Sequence, residues 1–62
     1  MKAKELAKIL LENPEAEVIF KQYVGIEIVA DVKSAQFYSK NQYINDINHK
    51  CKSNSIYLSM DM

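Results

Sequence analysis

The sequence predicts a small α+β domain in which an N-terminal helix packs on a mainly antiparallel sheet of three or four strands. Three observations predict this fold class: a helical repeat of apolar residues at the start of the chain, a proline that ends it, and three later runs rich in β-branched and aromatic residues. Nothing in the composition of the 62 residues marks a boundary, so we expect a single domain over residues 1–62.

The N-terminal segment has the spacing of an amphipathic helix. Ala3, Leu6, Ile9 and Leu10 fall on one helical face, and charged residues occupy most of the remainder. The residue before a proline is pushed out of the α region, so Asn13-Pro14 should end the helix and turn the chain. The sequence therefore predicts a helix over about residues 3–12.

Three apolar runs predict strands. The run "AEVIFKQYV" carries apolar residues on both faces and is typical of a strand covered on both sides. Gly25 separates it from "IEIVADVK", which indicates a hairpin between the two runs. In the last run, "SIYLSMD", apolar residues alternate with mostly polar ones, which predicts a strand with one buried face and one more solvent-exposed face. Its buried face would carry Ile56, Leu58 and Met60.

The segment between the second and last runs is harder to assign. "SAQFYS" can continue the second strand or form a strand of its own. In "SKNQYINDINHK", Tyr43, Ile44 and Ile47 have helical spacing after a Ser39 and Gln42 pair that resembles a capping box. A short second helix before the last strand is one interpretation, and a loop is the alternative. "KCKSNS" then predicts a polar turn.

The size of the chain predicts self-association. Area scaling gives a chain of this mass roughly 4,000 Å² of surface when folded and about 10,000 Å² when extended, so only about 60% is buried. Cys51 is the only cysteine and cannot form a disulfide within one chain. Small domains without disulfides or metals commonly gain stability by oligomerising, so we expect a homo-oligomer.

Composition excludes several classes of function. No apolar run approaches the roughly 18 residues that span a bilayer, so we expect no membrane partner. No apolar signal core follows Met1 and Lys2, so we expect a cytoplasmic location. The eight cationic side chains are all lysines, which offset eight acids. Without the bidentate arginine fork, a dedicated role in nucleic-acid binding is disfavoured.

The runs "KELAKILLENPEAEVIF", "IEIVADV" and "IYLSMD" resemble small proteins that are common in phages, prophages and bacteria. These proteins have a Lys-Glu-Leu-type helix, a Pro-x-Ala-Glu-Val start to a hairpin, and a short final strand. The resemblance covers residues 2–32 and 55–61 at the level of fold. It implies a phage counter-defence role in the host cell cytoplasm and brings no catalytic residues. The long segment 34–54 departs from the pattern, so we expect the particular function to lie there.

Residues 37–52 combine aromatic, amide and ammonium side chains. Aromatic rings stack on bases, amides read base edges, and ammonium groups meet phosphates, so these residue types suit a nucleotide-like ligand. The alternative is that Tyr38 and Tyr43 only pack in the core or in an interface. The candidate ligand-binding residues are Tyr38, Lys40, Asn41, Tyr43 and His49.

The sequence does not predict catalysis, a metal site or a cofactor. His49 and Cys51 lack the ligand number and spacing of a zinc site, and an ordinary thiol on a turn explains Cys51 better than a nucleophile does. Glu15 and Glu17 are typical of solvated charges. The sequence therefore predicts a non-enzymatic, homo-oligomeric binding protein of phage or mobile-element type that sequesters a nucleotide-like immune signal. The alternative is an inhibitor or adaptor that binds a host protein through a sheet edge or residues 37–50.

Overall fold

The computed structural model describes residues 1–21 and 30–61. The predicted turn at Gly25 and the first part of the "IEIVADVK" run lie outside these residues. The structure is α+β, with one helix, a three-stranded mixed sheet and a separate two-stranded ribbon. Its elements are α1 (Ala3–Glu12), β1 (Glu17–Phe20), β2 (Asp31–Tyr38), β3 (Tyr43–Ile44), a 3₁₀ turn (Asn45–Ile47), β4 (His49–Lys50) and β5 (Ser55–Asp61).

The N-terminal helix has the bounds that the sequence predicts. It ends because the Asn13 backbone N–H donates to the Leu10 carbonyl at 3.1 Å and the Asn13 side-chain amide donates to the Ile9 carbonyl at 3.0 Å. These bonds satisfy carbonyl groups that a helix end leaves unpaired, and Pro14 then prevents continuation. The helix contacts β2, and the terminal amino group of Met1 donates to the Val32 carbonyl at 2.8 Å.

The last strand lies at the centre of the sheet. The strand order is β1-β5-β2, with β5 parallel to β1 and antiparallel to β2. Over the described residues, β1 and β2 are therefore separated by β5 and do not pair with each other as the predicted hairpin requires, and the part of that hairpin nearest Gly25 lies outside these residues. "SAQFYS" continues the second strand, since β2 extends without a break to Tyr38.

The positions of β1 and β5 reverse the expected pattern of exposure. β1 is flanked by β5 on one side, and its Val18 and Phe20 side chains are about half exposed. In β5, by contrast, both Ile56 and Tyr57 are buried, although they point to opposite faces. The face of β5 that was expected to be more solvent-exposed is thus covered along the first half of the strand. The reason is that β5 is central and other parts of the chain lie against both of its faces.

The ribbon forms the cover of one sheet face. Ile44 and Cys51 pack with Tyr57 in the buried core cluster, and Ile19, Tyr38 and Ile47 contact this cluster from its edges. The core is small. Among the described residues, the buried hydrophobic side chains are Ile44, Cys51, Ile56 and Tyr57.

The segment that was interpreted as either a short second helix or a loop forms this ribbon with its single 3₁₀ turn. The Ser39 and Gln42 pair forms one of the two bonds of a capping box: the Ser39 N–H donates to the Gln42 side-chain oxygen at 3.0 Å, but the Gln42 N–H donates to the Ser39 backbone carbonyl at 3.0 Å and not to its hydroxyl. These bonds close a turn instead of starting a helix. The reason is backbone conformation: Asn41 and Asn48 have φ values of 74° and 51°, which a right-handed helix cannot contain.

Candidate ligand-binding site

Tyr38 is a packing residue in this structure. Its ring centroid lies 6.4 Å from that of Tyr57 at an interplanar angle of 60°, and its hydroxyl donates to the Gln36 side-chain oxygen at 3.1 Å. Both rings belong to the core that the ribbon covers. A face engaged in this way is not free to stack on a base, which favours the packing alternative for Tyr38.

Lys40 and Asn41 lie in the turn that follows β2, where their side chains are exposed. Their backbones are tied to the segment before β5. The Lys40 N–H donates to the Asn54 side-chain oxygen at 2.9 Å, and the Asn41 N–H donates to the Cys51 carbonyl at 2.8 Å. The two residues therefore have a fixed backbone position with side chains that reach into solvent.

Tyr43 and His49 lie on opposite sides of the ribbon. In its register Tyr43 pairs with Lys50, and Ile44 pairs with His49. Paired residues on neighbouring strands project from the same side of a ribbon. Since Ile44 is buried against the sheet, His49 shares that inner side, and Tyr43 lies with Lys50 on the outer side. One small ligand cannot contact Tyr43 and His49 from the same face of the ribbon.

His49 is the predicted site residue that lines a cleft. The cleft lies between the ribbon and the end of β1 and has a volume of about 320 Å³. This volume falls within the range of small-ligand sites. A smaller cavity of about 100 Å³ shares the lining residues Lys21 and Ile47 with this cleft and therefore lies next to it. The lining of the larger cleft is Ile19, Phe20, Lys21, Ile47 and His49.

The cleft lining combines three kinds of chemistry. Ile19 and Ile47 are apolar lining residues, and the half-exposed aromatic residue Phe20 lies at the margin of the cleft. Lys21 provides an exposed ammonium group, and His49 provides ring nitrogens that can donate or accept a hydrogen bond. Apolar walls with a few convergent polar groups are the usual composition of a small-molecule site. The set suits a flat, anionic molecule.

Of the residues that line the cleft, His49 was predicted from the sequence as a ligand-binding residue, and Phe20 and Lys21 were not. Both were assigned to a strand covered on both faces, in which a ligand would have no access. The available signal was Lys21 itself, a charged residue within an otherwise apolar run, which marks the point where β1 ends.

Cys51 lies in the core and not on the surface of a polar turn, since its exposed fraction is only 1%. Within residues 1–21 and 30–61, no three His, Cys, Asp or Glu side chains are grouped as metal ligands. Glu15 and Glu17 are both exposed, as expected of solvated charges. In the same described ranges, no helix has the length and apolar character needed to cross a membrane.

Comparison with known proteins adds no family. No family model matches the chain, and no curated protein or solved structure shows significant similarity to it.

Proposed function

We propose that this protein is a small, non-enzymatic, homo-oligomeric binding protein that sequesters a nucleotide-like ligand. The observation that carries the proposal is the cleft of about 320 Å³, which Phe20, Lys21 and His49 line together with Ile19 and Ile47. This site replaces most of the residues that the sequence suggested and retains His49.

Each polar or aromatic group of the cleft has a role that fits such a ligand. Stacking of a base on an aromatic side chain contributes about 1–3 kcal/mol, and Phe20 is exposed enough to offer a ring face. The Lys21 ammonium can meet a phosphate as a point charge. The His49 ring can hydrogen-bond a base edge or a sugar hydroxyl and so orient the ligand.

The proposal is for binding without chemistry. The sole thiol of the chain, Cys51, is packed in the core and does not line the cleft. Nucleophilic catalysis needs an accessible nucleophile in contact with a base. Because the sequence resembles small phage proteins, we extend the proposal: the ligand is a nucleotide immune signal, and the protein sequesters it in the host cell cytoplasm as a counter-defence.

The test is a panel of mononucleotides, dinucleotides and cyclic nucleotides, with the melting temperature and the heat of binding as readouts. A ligand at one hundred times its Kd stabilises the native state by about 2.7 kcal/mol. For a chain of this size that raises Tm by roughly 10–20 °C. His49→Ala and Lys21→Ala should reduce affinity tenfold or more. Lys50→Ala is the matched control, because Lys50 neighbours His49 in sequence and lies on the outer side of the ribbon.

Two results would contradict the proposed function. One is that no nucleotide in the panel changes Tm or gives measurable heat. The other is that a nucleotide binds wild type, His49→Ala and Lys21→Ala with equal affinity, since the cleft would then not be the site.

A second candidate function is inhibition of a host protein through the outer side of the ribbon. Tyr43 is exposed there and pairs with Lys50, and both point away from the core. Exposed aromatic side chains are enriched in protein interfaces. This function predicts no response to nucleotides, and loss of partner binding in Tyr43→Ala with His49→Ala unaffected.

A further inference from the structure

We infer that the ligand of the cleft is a guanine nucleotide and that the Asp46 carboxylate selects its base. This inference rests on the proposed function, because it names the class of nucleotide that the same site would take. It comes from the smaller cavity of about 100 Å³ next to the cleft, called the side cavity below. The side cavity is lined by Lys21, Asp46, Ile47, Tyr57, Leu58 and Met60.

The side cavity continues the cleft. Lys21 and Ile47 line both spaces. In the parallel ladder, Leu58 of the side cavity also pairs with Phe20 of the cleft. At about 100 Å³ the side cavity is much smaller than a complete small-ligand site, which has roughly 300 Å³ or more. It therefore admits only one end of a molecule whose larger part lies in the cleft.

Asp46 is the acidic residue that lines the side cavity and does not line the cleft. It lies in the 3₁₀ turn Asn45–Ile47, which the Asn48 N–H closes by donating to the Asn45 carbonyl at 3.2 Å. In the described part of the chain, no hydrogen bond or ion pair engages its carboxylate. Both carboxylate oxygens can therefore accept hydrogen bonds from a ligand.

The carboxylate determines which end of a nucleotide enters the side cavity. Like charges repel, so the phosphate stays on the cleft side, where Lys21 can meet it. The end that enters must donate hydrogen bonds, because an ionised carboxylate only accepts them. A nucleotide offers such donors on the outer edge of its base, so this edge lies at Asp46.

Guanine is the base whose outer edge matches a carboxylate. Its ring N–H and its exocyclic amino group are adjacent donors, one for each carboxylate oxygen. Adenine and cytosine place an amino donor beside a ring nitrogen that accepts, and uracil places its ring N–H between two carbonyl acceptors. An acceptor that faces the carboxylate is repelled, so these bases fit less well.

The surroundings of Asp46 set the size of the effect. Ile47, Leu58 and Met60 are partly buried and apolar, and such neighbours strengthen a charge-assisted hydrogen bond. Asp46 itself is exposed, so water competes for its oxygens. We therefore expect discrimination of about tenfold and not the several thousandfold of a fully enclosed polar site. With the base edge at Asp46, His49 in the cleft hydrogen-bonds the sugar hydroxyls.

The test is calorimetric titration of the full chain with guanosine, inosine and adenosine monophosphate. The inosine compound keeps the ring N–H of guanine but lacks the exocyclic amino group. Relative to the guanosine compound, its Kd should be about fivefold higher, and that of the adenosine compound should be about tenfold higher or more. This comparison uses the wild-type chain and so does not depend on the folding of a variant.

Asp46→Asn tests the residue itself. An amide pairs with an adjacent donor and acceptor, which is the pattern of adenine. The variant should therefore bind the guanosine compound about tenfold more weakly and prefer the adenosine compound. Glu15→Gln is the matched control, because it removes the same charge from an exposed residue that precedes β1 and lines neither cavity. Its three affinities should equal those of wild type.

The outcomes separate the two proposals. If no nucleotide binds the wild-type chain, the proposed function fails and this inference fails with it. Equal affinity of the wild type for all three monophosphates would overturn this inference alone. So would an Asp46→Asn variant that keeps the wild-type affinity and preference. In both of those cases, weaker binding in His49→Ala would still support nucleotide binding in the cleft.

Discussion

Truncation of Ile56 should remove a large part of the stability of the fold. Ile56 has no exposed surface, and it lies in the central strand between Val18 and Phe37. Ile56→Ala deletes three carbon atoms from a site that has neighbours on every side. Substitutions of this kind cost about 2–5 kcal/mol, because the lost transfer free energy adds to the cost of the cavity.

The expected loss is large compared with the whole free energy of unfolding. At 0.05–0.15 kcal/mol per residue, a chain of this length has roughly 3–9 kcal/mol in total. A loss of about 3 kcal/mol would lower Tm by about 15 °C or more in a domain of this size. At the upper end of the range the variant would be largely unfolded at room temperature.

The assay is urea unfolding followed by far-UV circular dichroism, repeated at several protein concentrations because self-association adds to stability. Leu11→Ala is the control: it also deletes three carbon atoms, but Leu11 is 79% exposed and should cost less than about 0.5 kcal/mol. Equal midpoints for the two variants would refute the argument, because β5 could then not lie at the centre of the sheet.

Three further predictions concern the ribbon and its neighbours. Asn48→Ala should lose about 1–2 kcal/mol in urea unfolding and Asn48→Gly much less, since φ is 51° there; equal losses would argue against that backbone conformation. Asn54→Ala should lose about 1 kcal/mol because the Lys40 N–H loses its acceptor, while Asn54→Asp should keep most of the stability; a harmless alanine would show that the bond is dispensable. Cys51 should react with a disulfide reagent at least one hundredfold more slowly in native than in urea-unfolded protein, because its thiol is buried; similar rates would place it at the surface.

Local signals explain what the sequence predicted correctly. The helix over Ala3–Glu12 follows from a repeat of 3.6 residues and from Pro14, and both are short-range features. The last strand, Ser55–Asp61, also has the bounds of its apolar run. The parallel pairing of β1 with β5 has no local signal. An apolar run such as that of β1 occurs both in central strands and in partly exposed outer strands. The run alone therefore does not determine the order of the strands in the sheet.

The residues of the candidate site could not be predicted either, because they depend on which strands and turns lie next to each other in the fold. Tyr43, Ile44 and Ile47 have helical spacing, but the ribbon is set by the hydrogen bond from the Cys51 N–H to the Gln42 carbonyl at 2.9 Å. His49 could be named from its residue type alone. Phe20 became a candidate only when the fold brought β1 beside the 3₁₀ turn, and no spacing within the chain expresses that proximity.

The central place of β5 has a consequence for how the chain folds. Within residues 1–21 and 30–61, β1 and β2 each form ladder hydrogen bonds to β5 and not to each other, so the partner of both strands there is residues 55–61. The ladder joins residues 17–20 to residues 55–58, which are far apart in the sequence. The chain therefore loses the entropy of closing a long loop before strand pairing contributes any favourable free energy. Folding should therefore be slow for a chain of this length and should occur in a single cooperative step. A fragment without β5 would lack the strand with which both β1 and β2 pair in the described part of the structure.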